Sequence, residues 1–111
     1  MVHYSPSTPS AFPALSDPTR RAILTRLGRS DATISDLASA FHMSLTGAKK
    51  HVQILESAGL VTSEKVGRVR TCRLGPETLD DEAEWIESYR RMLEDRLNRL
   101  GDFLERTKET P

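Results

Sequence analysis

Cysteine is nearly missing from this chain: Cys72 stands alone among 111 residues. An internal disulfide is therefore excluded, and a lone thiol fits a reducing compartment. Long apolar runs are missing as well. No stretch approaches the roughly 18 consecutive apolar residues of a membrane span, so no membrane partner is expected. The opening "MVHYSPSTPS" lacks the basic-then-apolar order of a secretion signal. Residues 1–10 read instead as a Ser/Pro-rich flexible arm, and a soluble, cytoplasmic protein is expected. Internal repeats and low-complexity tracts are absent. Net charge is also lacking, with 16 Lys/Arg against 16 Asp/Glu, so composition alone points to no polyanion. A chain of this length can build one modest core.

The charge is balanced in sum but not in place. Residues 1–78 hold ten Lys/Arg against six Asp/Glu, and residues 79–111 hold six against ten. A basic front and an acidic tail imply two jobs in one chain, although a solvated acidic helix alone would give the same tail.

"SAFPALS" reads as a short helix that packs Phe12 and Leu15. In "SDPTRRAILTRLG", Asp17 caps, Pro18 suits the first helical position and Gly28 ends the helix, with Ala22, Ile23 and Leu27 inward. "ATISDLASAFHMS" gives a second capped helix from Thr33, with Ile34, Leu37 and Ala38 facing in. Ser44 then starts a third, which runs to about Ala58 and stops at Gly59 in a left-handed conformation. Two such helices joined by a few residues make a helix-turn-helix. "LVTSEKVGRVRTCRL" follows as two β-prone runs around Val66-Gly67-Arg68, a hairpin. The expected fold is mainly α with a small β-hairpin: a winged helix-turn-helix over residues 11–78, then a dimerisation helix and tail over 79–111, the helix itself running from about Pro76 or Thr78 to Thr107.

The stretch "MSLTGAKKHVQILESAGLV" has two characters. Ala48, Val52, Leu55 and Ala58 form one apolar face. Thr46, Lys49, Lys50, Gln53 and Ser57 point elsewhere. Lysine can donate to guanine O6 and N7, and glutamine can pair with adenine. Small residues at Thr46 and Gly47 let the helix N-terminus approach a duplex, where its dipole favours phosphate. Solubilising lysines are the bland alternative, but the hairpin repeats the sign with Lys65, Arg68, Arg70 and Arg73 and no acid between them. Double-stranded DNA is the expected partner. The expected contacts are Ser44, Thr46, Gly47, Lys49, Lys50, His51, Gln53, Lys65, Arg68 and Arg70, with Arg68 the best wing candidate. His51 flanks the buried stripe and reads equally as a packed, hydrogen-bonded histidine.

Little else carries chemistry. No Ser/His/Asp set, paired-carboxylate cleft or phosphate-cradling glycine loop is present, so an enzyme is not expected. Asp80-Asp81-Glu82 reads as helix-start charge. Cys72, His3, His42 and His51 show no metal-ligand spacing, and a zinc site wants three or four convergent ligands. No metal and no cofactor are expected, and Cys72 reads as a small strand residue facing the same side as Leu74.

The stretches "ALSDPTRRAILTRL", "ISDLASAFHMSLTGAKKHVQILESAGLV" and "GRVRTCRL" together resemble the ArsR-type (ArsR/SmtB) winged-helix repressors of bacteria, over roughly residues 12–79. "DPTRRAIL" and "KHVQILESAGLV" carry most of the likeness. The tail "EWIESYRRMLEDRLNRLGDFL" resembles a subgroup with a long terminal helix. The resemblance implies a DNA-binding scaffold and a transcriptional repressor. This chain departs from the family pattern at Leu45, where many relatives hold a glutamine-like residue, and at Lys49, where many hold serine. The family's metal sensors carry Cys-x-Cys where this chain has Leu37-Ala38-Ser39. Others use ligands on the last helix, where residues 79–111 lack histidine. The resemblance therefore implies the scaffold without the known metal sites, and no small-molecule effector is identified.

Leu79, Ile86, Leu93 and Leu100 recur every seven residues. Ala83, Tyr89, Leu97, Phe103 and Leu104 widen the stripe, and Trp85 and Met92 flank it. A helix this long exceeds what so small a domain can cover, so a second copy is the expected partner. Phe12, Leu15, Ile86, Tyr89, Leu93, Leu97, Leu100 and Leu104 are the expected dimer contacts. The expected function is a homodimeric, sequence-specific transcriptional regulator, a repressor on an inverted-repeat operator. The alternative is a winged-helix protein-interaction module that docks a different partner through the long helix.

Overall fold

The computed structural model describes residues 11–109; the expected flexible arm of residues 1–10 lies outside them. The chain divides into two compact units, one ending at Leu79 and the other beginning at Asp80. In order, the elements are α1 (Phe12–Leu15), α2 (Pro18–Leu27), β1 (Ala32–Thr33), α3 (Ile34–Ala40), α4 (Leu45–Ser57), β2 (Val61–Val66), β3 (Val69–Leu74) and α5 (Asp80–Glu109).

Local chemistry explains the helix starts. Asp17 accepts a hydrogen bond from the Arg20 amide at 3.0 Å, ahead of Pro18. That bond lowers the Asp17 pKa, and loss of solvent opposes it. Thr33 and Asp36 form a reciprocal capping box, each accepting from the other's amide at 3.0 Å. The Thr33 amide, and then its hydroxyl, lower the Asp36 pKa. Ser44 Oγ accepts from the Gly47 amide at 3.0 Å and opens α4.

Two helix ends use one device. At the end of α4, the Leu60 amide reaches back to the Leu55 carbonyl and the Gly59 amide to Glu56, both at 2.9 Å. Gly59 takes φ 77°, which completes a Schellman motif. At the end of α3, the Met43 amide bonds the Ala38 carbonyl at 2.9 Å and the His42 amide bonds Ser39 at 3.4 Å. There the left-handed position is filled by His42, at φ 53°. This is the turn of the helix-turn-helix.

The winged unit closes around Ile23, Leu27, Leu37, Ala48, Val52, Leu55, Leu60, Val61 and Cys72, all buried. Sequence reasoning anticipates a two-stranded hairpin; the sheet has three strands, in the order β1-β3-β2, all antiparallel. The two residues of β1 pair Ala32 with Cys72 and Thr33 with Thr71. They anchor the wing to the start of α3. Behind the wing, Gly75 lies so close to the α4–β2 turn that an added Cβ would stand 2.4 Å from the Gly59 carbonyl oxygen. Its amide donates to the Leu60 carbonyl at 2.8 Å, so no larger residue fits without moving the turn.

The final helix starts at Asp80, later than the anticipated Pro76 or Thr78. Leu79 precedes it with φ 62° and packs on the winged core. The heptad reading placed Leu79 at the head of the long stripe; its left-handed backbone removes it from the helix and gives it to the other unit. The 30 residues of α5 make a rod of ~45 Å. Ile86, Tyr89, Met92, Leu93, Leu97, Leu100, Phe103 and Leu104 are exposed along it. The Trp85 and Tyr89 rings stack with centroids 5.5 Å apart. Arg90 bridges Glu87 and Glu94. Glu87 takes Arg90, three residues on, as its partner.

Candidate nucleic-acid interface

The site forms where α4 meets the wing. Helix α4 buries Ala48, Val52 and Leu55, which turns Thr46, Lys49, Lys50 and Gln53 to solvent. The β2–β3 register sets Lys65 opposite Arg70 and leaves Gly67 and Arg68 at the turn. Between the two elements runs an open groove of about 610 Å³, lined by Thr33, Ile34, Ser35, Leu45, Thr46, Lys49, Lys65, Arg68, Val69 and Arg70. A smaller hollow of about 180 Å³ shares Ile34, Lys49 and Arg70 with it and adds Val52, Gln53 and Glu56.

Five of the expected contacts therefore line one groove: Thr46, Lys49, Lys65, Arg68 and Arg70. Gln53 stands at the adjoining hollow. Lys50 is exposed on α4 outside both. Ser44 and Gly47 form the cap that points the first turn of α4 outward.

The cations differ in their freedom. Among the described residues, Lys49, Lys50, Lys65 and Arg68 have no acid within ion-pair distance, whereas Arg73 bridges Asp31 at 3.5 Å and Glu64 at 4.0 Å. Counting Arg73 with the wing's positive charge, as the sequence invites, overstates that charge. Arg70 is half-buried; its Nη1 donates to Ser63 Oγ at 2.9 Å, and Ser63 Oγ donates to Glu56 Oε1 at 3.1 Å. This chain of bonds ties β3 through β2 to α4 and fixes the width of the groove.

His51 has a partner inside the fold. Arg20 Nη1 lies 3.3 Å from His51 Nδ1. Arginine only donates, so Nδ1 accepts and the ring proton sits on Nε2. The same guanidinium donates through Nε to the Ala14 carbonyl at 2.8 Å and through Nη2 to Pro13 at 3.2 Å. One arginine thus clasps α1 and α4 together.

Of the expected dimer contacts, Ile86, Tyr89, Leu93, Leu97, Leu100 and Leu104 are exposed on α5. Leu15 packs partly on the winged core, and Phe12 is half-buried in α1. Cys72 is buried, and loss of solvent, followed by the charge on Glu56, pushes its thiol up to about 11 against the opposing pull of Arg70. Such a thiol is not a nucleophile at neutral pH. Among the described residues, no three His, Cys, Asp or Glu gather to hold a metal ion.

The groove also contains residues that sequence reasoning passed over: Thr33, Ile34, Ser35, Leu45 and Val69. Leu45 was legible as the first residue after a cap. The others enter through the β1–α3 junction and the wing register.

Helix-turn-helix, three-stranded wing and long terminal helix together define a winged helix-turn-helix protein. A family model described as a helix-turn-helix domain matches residues 15–64. The transcriptional repressor SdpR of Bacillus subtilis (strain 168) is 32% identical over 80 residues, spanning 72% of this chain and 89% of that protein. A crystal structure of an ArsR family transcriptional regulator is 40% identical with TM-score 0.70, covering 85% of this chain and 97% of that one. An ArsR-like transcriptional regulator from Rhodococcus sp. RHA1 is 38% identical with TM-score 0.69, covering 86% and 88%. The chain belongs to the ArsR/SmtB family of winged helix-turn-helix transcriptional regulators.

Proposed function

We propose that this chain is a homodimeric repressor that acts in the cytoplasm by occupying an inverted-repeat operator. The observation that carries this reading is the groove shared by α4 and the wing, where Lys49, Lys65 and Arg68 stand exposed and, among the described residues, without an acid partner. A duplex meets such a surface with its phosphates and releases counterions, which supplies sequence-independent affinity. Thr46, Lys49, Lys50 and Gln53 on α4 then face base edges, and the wing holds the flanking backbone. The exposed stripe of α5 supports pairing with a second copy, because each buried leucine contributes ~1.5–3 kcal/mol. Two reader helices related by a two-fold axis match half-sites ~34 Å apart. The similar SdpR is a transcriptional repressor, and occupancy of the operator blocks transcription directly.

The test is the double variant Lys49→Ala/Lys50→Ala, with operator DNA recovered by selecting bound fragments from the source genome. Operator affinity falls at least ten-fold at moderate salt, while sedimentation still returns a dimer. Undiminished binding would remove the reader face from α4, and a monomer in the unaltered protein would remove the inverted repeat.

A further inference from the structure

We propose that Leu45 reads a thymine methyl in the major groove and is a specificity-determining residue; this rests on the DNA-reading function proposed above. Leu45 is the first residue of α4, directly after the Ser44 cap. It is 58% exposed, although the chain buries its neighbours Ala48, Val52 and Leu55 almost completely. The fold therefore leaves a leucine in water at the mouth of a groove whose other walls carry Lys49, Lys65 and Arg68.

The cations select a polyanion, and the leucine narrows what that polyanion must present. Leucine has neither donor nor acceptor. The one bulky apolar group on a major-groove edge is the C5 methyl of thymine, where cytosine presents only a C5 hydrogen. Residues at the N-terminal end of a recognition helix are the ones that reach base edges, and Leu45 holds that place. A base edge without a methyl would lose its water against Leu45 and gain nothing in return. Position follows from helix geometry. Leu45 and Lys49 are four residues apart, neighbours on one side of α4 and ~6 Å apart along its axis. That is under two base-pair steps of ~3.4 Å, so the thymine lies within about two base pairs of the contact made by Lys49.

The experiment uses the full chain and duplexes selected from a randomised pool. Each thymine of the tightest duplex is replaced singly by deoxyuridine, which removes the methyl and changes nothing else. Affinity is read by fluorescence anisotropy. One symmetric thymine per half-site weakens binding about four-fold when replaced, which is ~0.8 kcal/mol for one methyl-sized group. Leu45→Ala binds the thymine and uracil duplexes equally, with an unchanged thermal melt because the side chain is exposed. If every uracil is silent with the unaltered protein, or Leu45→Ala keeps the same thymine preference, the assignment is overturned while DNA reading stands. If no sequence is enriched over bulk DNA, both fall together.

Discussion

Arg20 and His51 meet at 3.3 Å, guanidinium Nη1 against imidazole Nδ1, and so bind α4 to the first turn of α2. The contact gives His51 a use that does not involve DNA. The Arg20→Ala variant loses this bond together with those to the Ala14 and Pro13 carbonyls. Stability falls by about 1–3 kcal/mol, measured by urea unfolding. His51→Gln retains an acceptor and keeps most of that stability. Its salt dependence of DNA binding matches that of the unaltered protein, whereas a phosphate-contacting His51 would show a shallower slope.

The wing makes a separate prediction. Lys65 and Arg68 carry exposed charge without an acid partner among the described residues, while Arg73 is held by Asp31 and Glu64. Each phosphate contact adds about 0.9 to the slope of log affinity against log salt. Arg68→Ala therefore lowers that slope by about one, and Lys65→Ala does the same. Arg73→Ala leaves it nearly unchanged. A titration of binding between low and moderate salt separates the three.

On α5, the apolar stripe predicts the assembly. Leu93 and Leu97 are exposed one turn apart near the middle of the helix. Leu93→Glu/Leu97→Glu places like charges of both copies in the pairing seam and raises the dimer dissociation constant at least a hundred-fold. Far-ultraviolet circular dichroism of the winged unit is unaffected. Equilibrium sedimentation reads the outcome, and an unshifted constant would move the dimer surface off this stripe.

What the sequence discloses about this molecule is mostly local. Asp17, Thr33 and Ser44 are short polar residues ahead of apolar periodicity, and each caps as its chemistry requires. Gly59 stops α4, and Gly67 turns the hairpin, because only a residue without Cβ is at ease at positive φ. The missed features depend on distant partners. Two residues of β1 form no recognisable run, and only β3 makes them a strand. Leu79 keeps heptad spacing, yet its backbone leaves it outside α5. Arg73 looks like its basic neighbours until Asp31, over forty residues earlier, is brought beside it. The exposed positions of α4 follow from periodicity; the groove they share with Thr33, Ser35 and Val69 needs the sheet.

Cys72 predicts an alkaline loss of stability. Its thiol titrates at about 11 in the fold against 9.0 for the free group, chiefly because burial disfavours the thiolate. The native state holds the proton more tightly, so this contribution is fully present below about pH 9 and is lost as pH rises toward 11. The loss is on the order of 2 kcal/mol. The difference in unfolding free energy between the unaltered protein and Cys72→Ala, followed across that window, isolates the thiol's contribution. Iodoacetamide at pH 8 leaves the native thiol unmodified and labels it in urea.

His42 ends α3 in the left-handed region, at φ 53°, where Gly59 ends α4 at φ 77° with the same pair of backbone bonds. A side chain there crowds its own carbonyl, at about 1–2 kcal/mol, while glycine gives back part of that advantage through the freedom of its unfolded chain. His42→Gly is therefore expected to stabilise the winged unit by about 0.5–1 kcal/mol, read as a higher urea midpoint with an unchanged slope. The imidazole is exposed and makes no side-chain hydrogen bond among the described residues, so none of them offsets the gain. A lower midpoint would mean that His42 earns its place through a contact at the turn, and would point to the turn itself as a surface that touches the ligand.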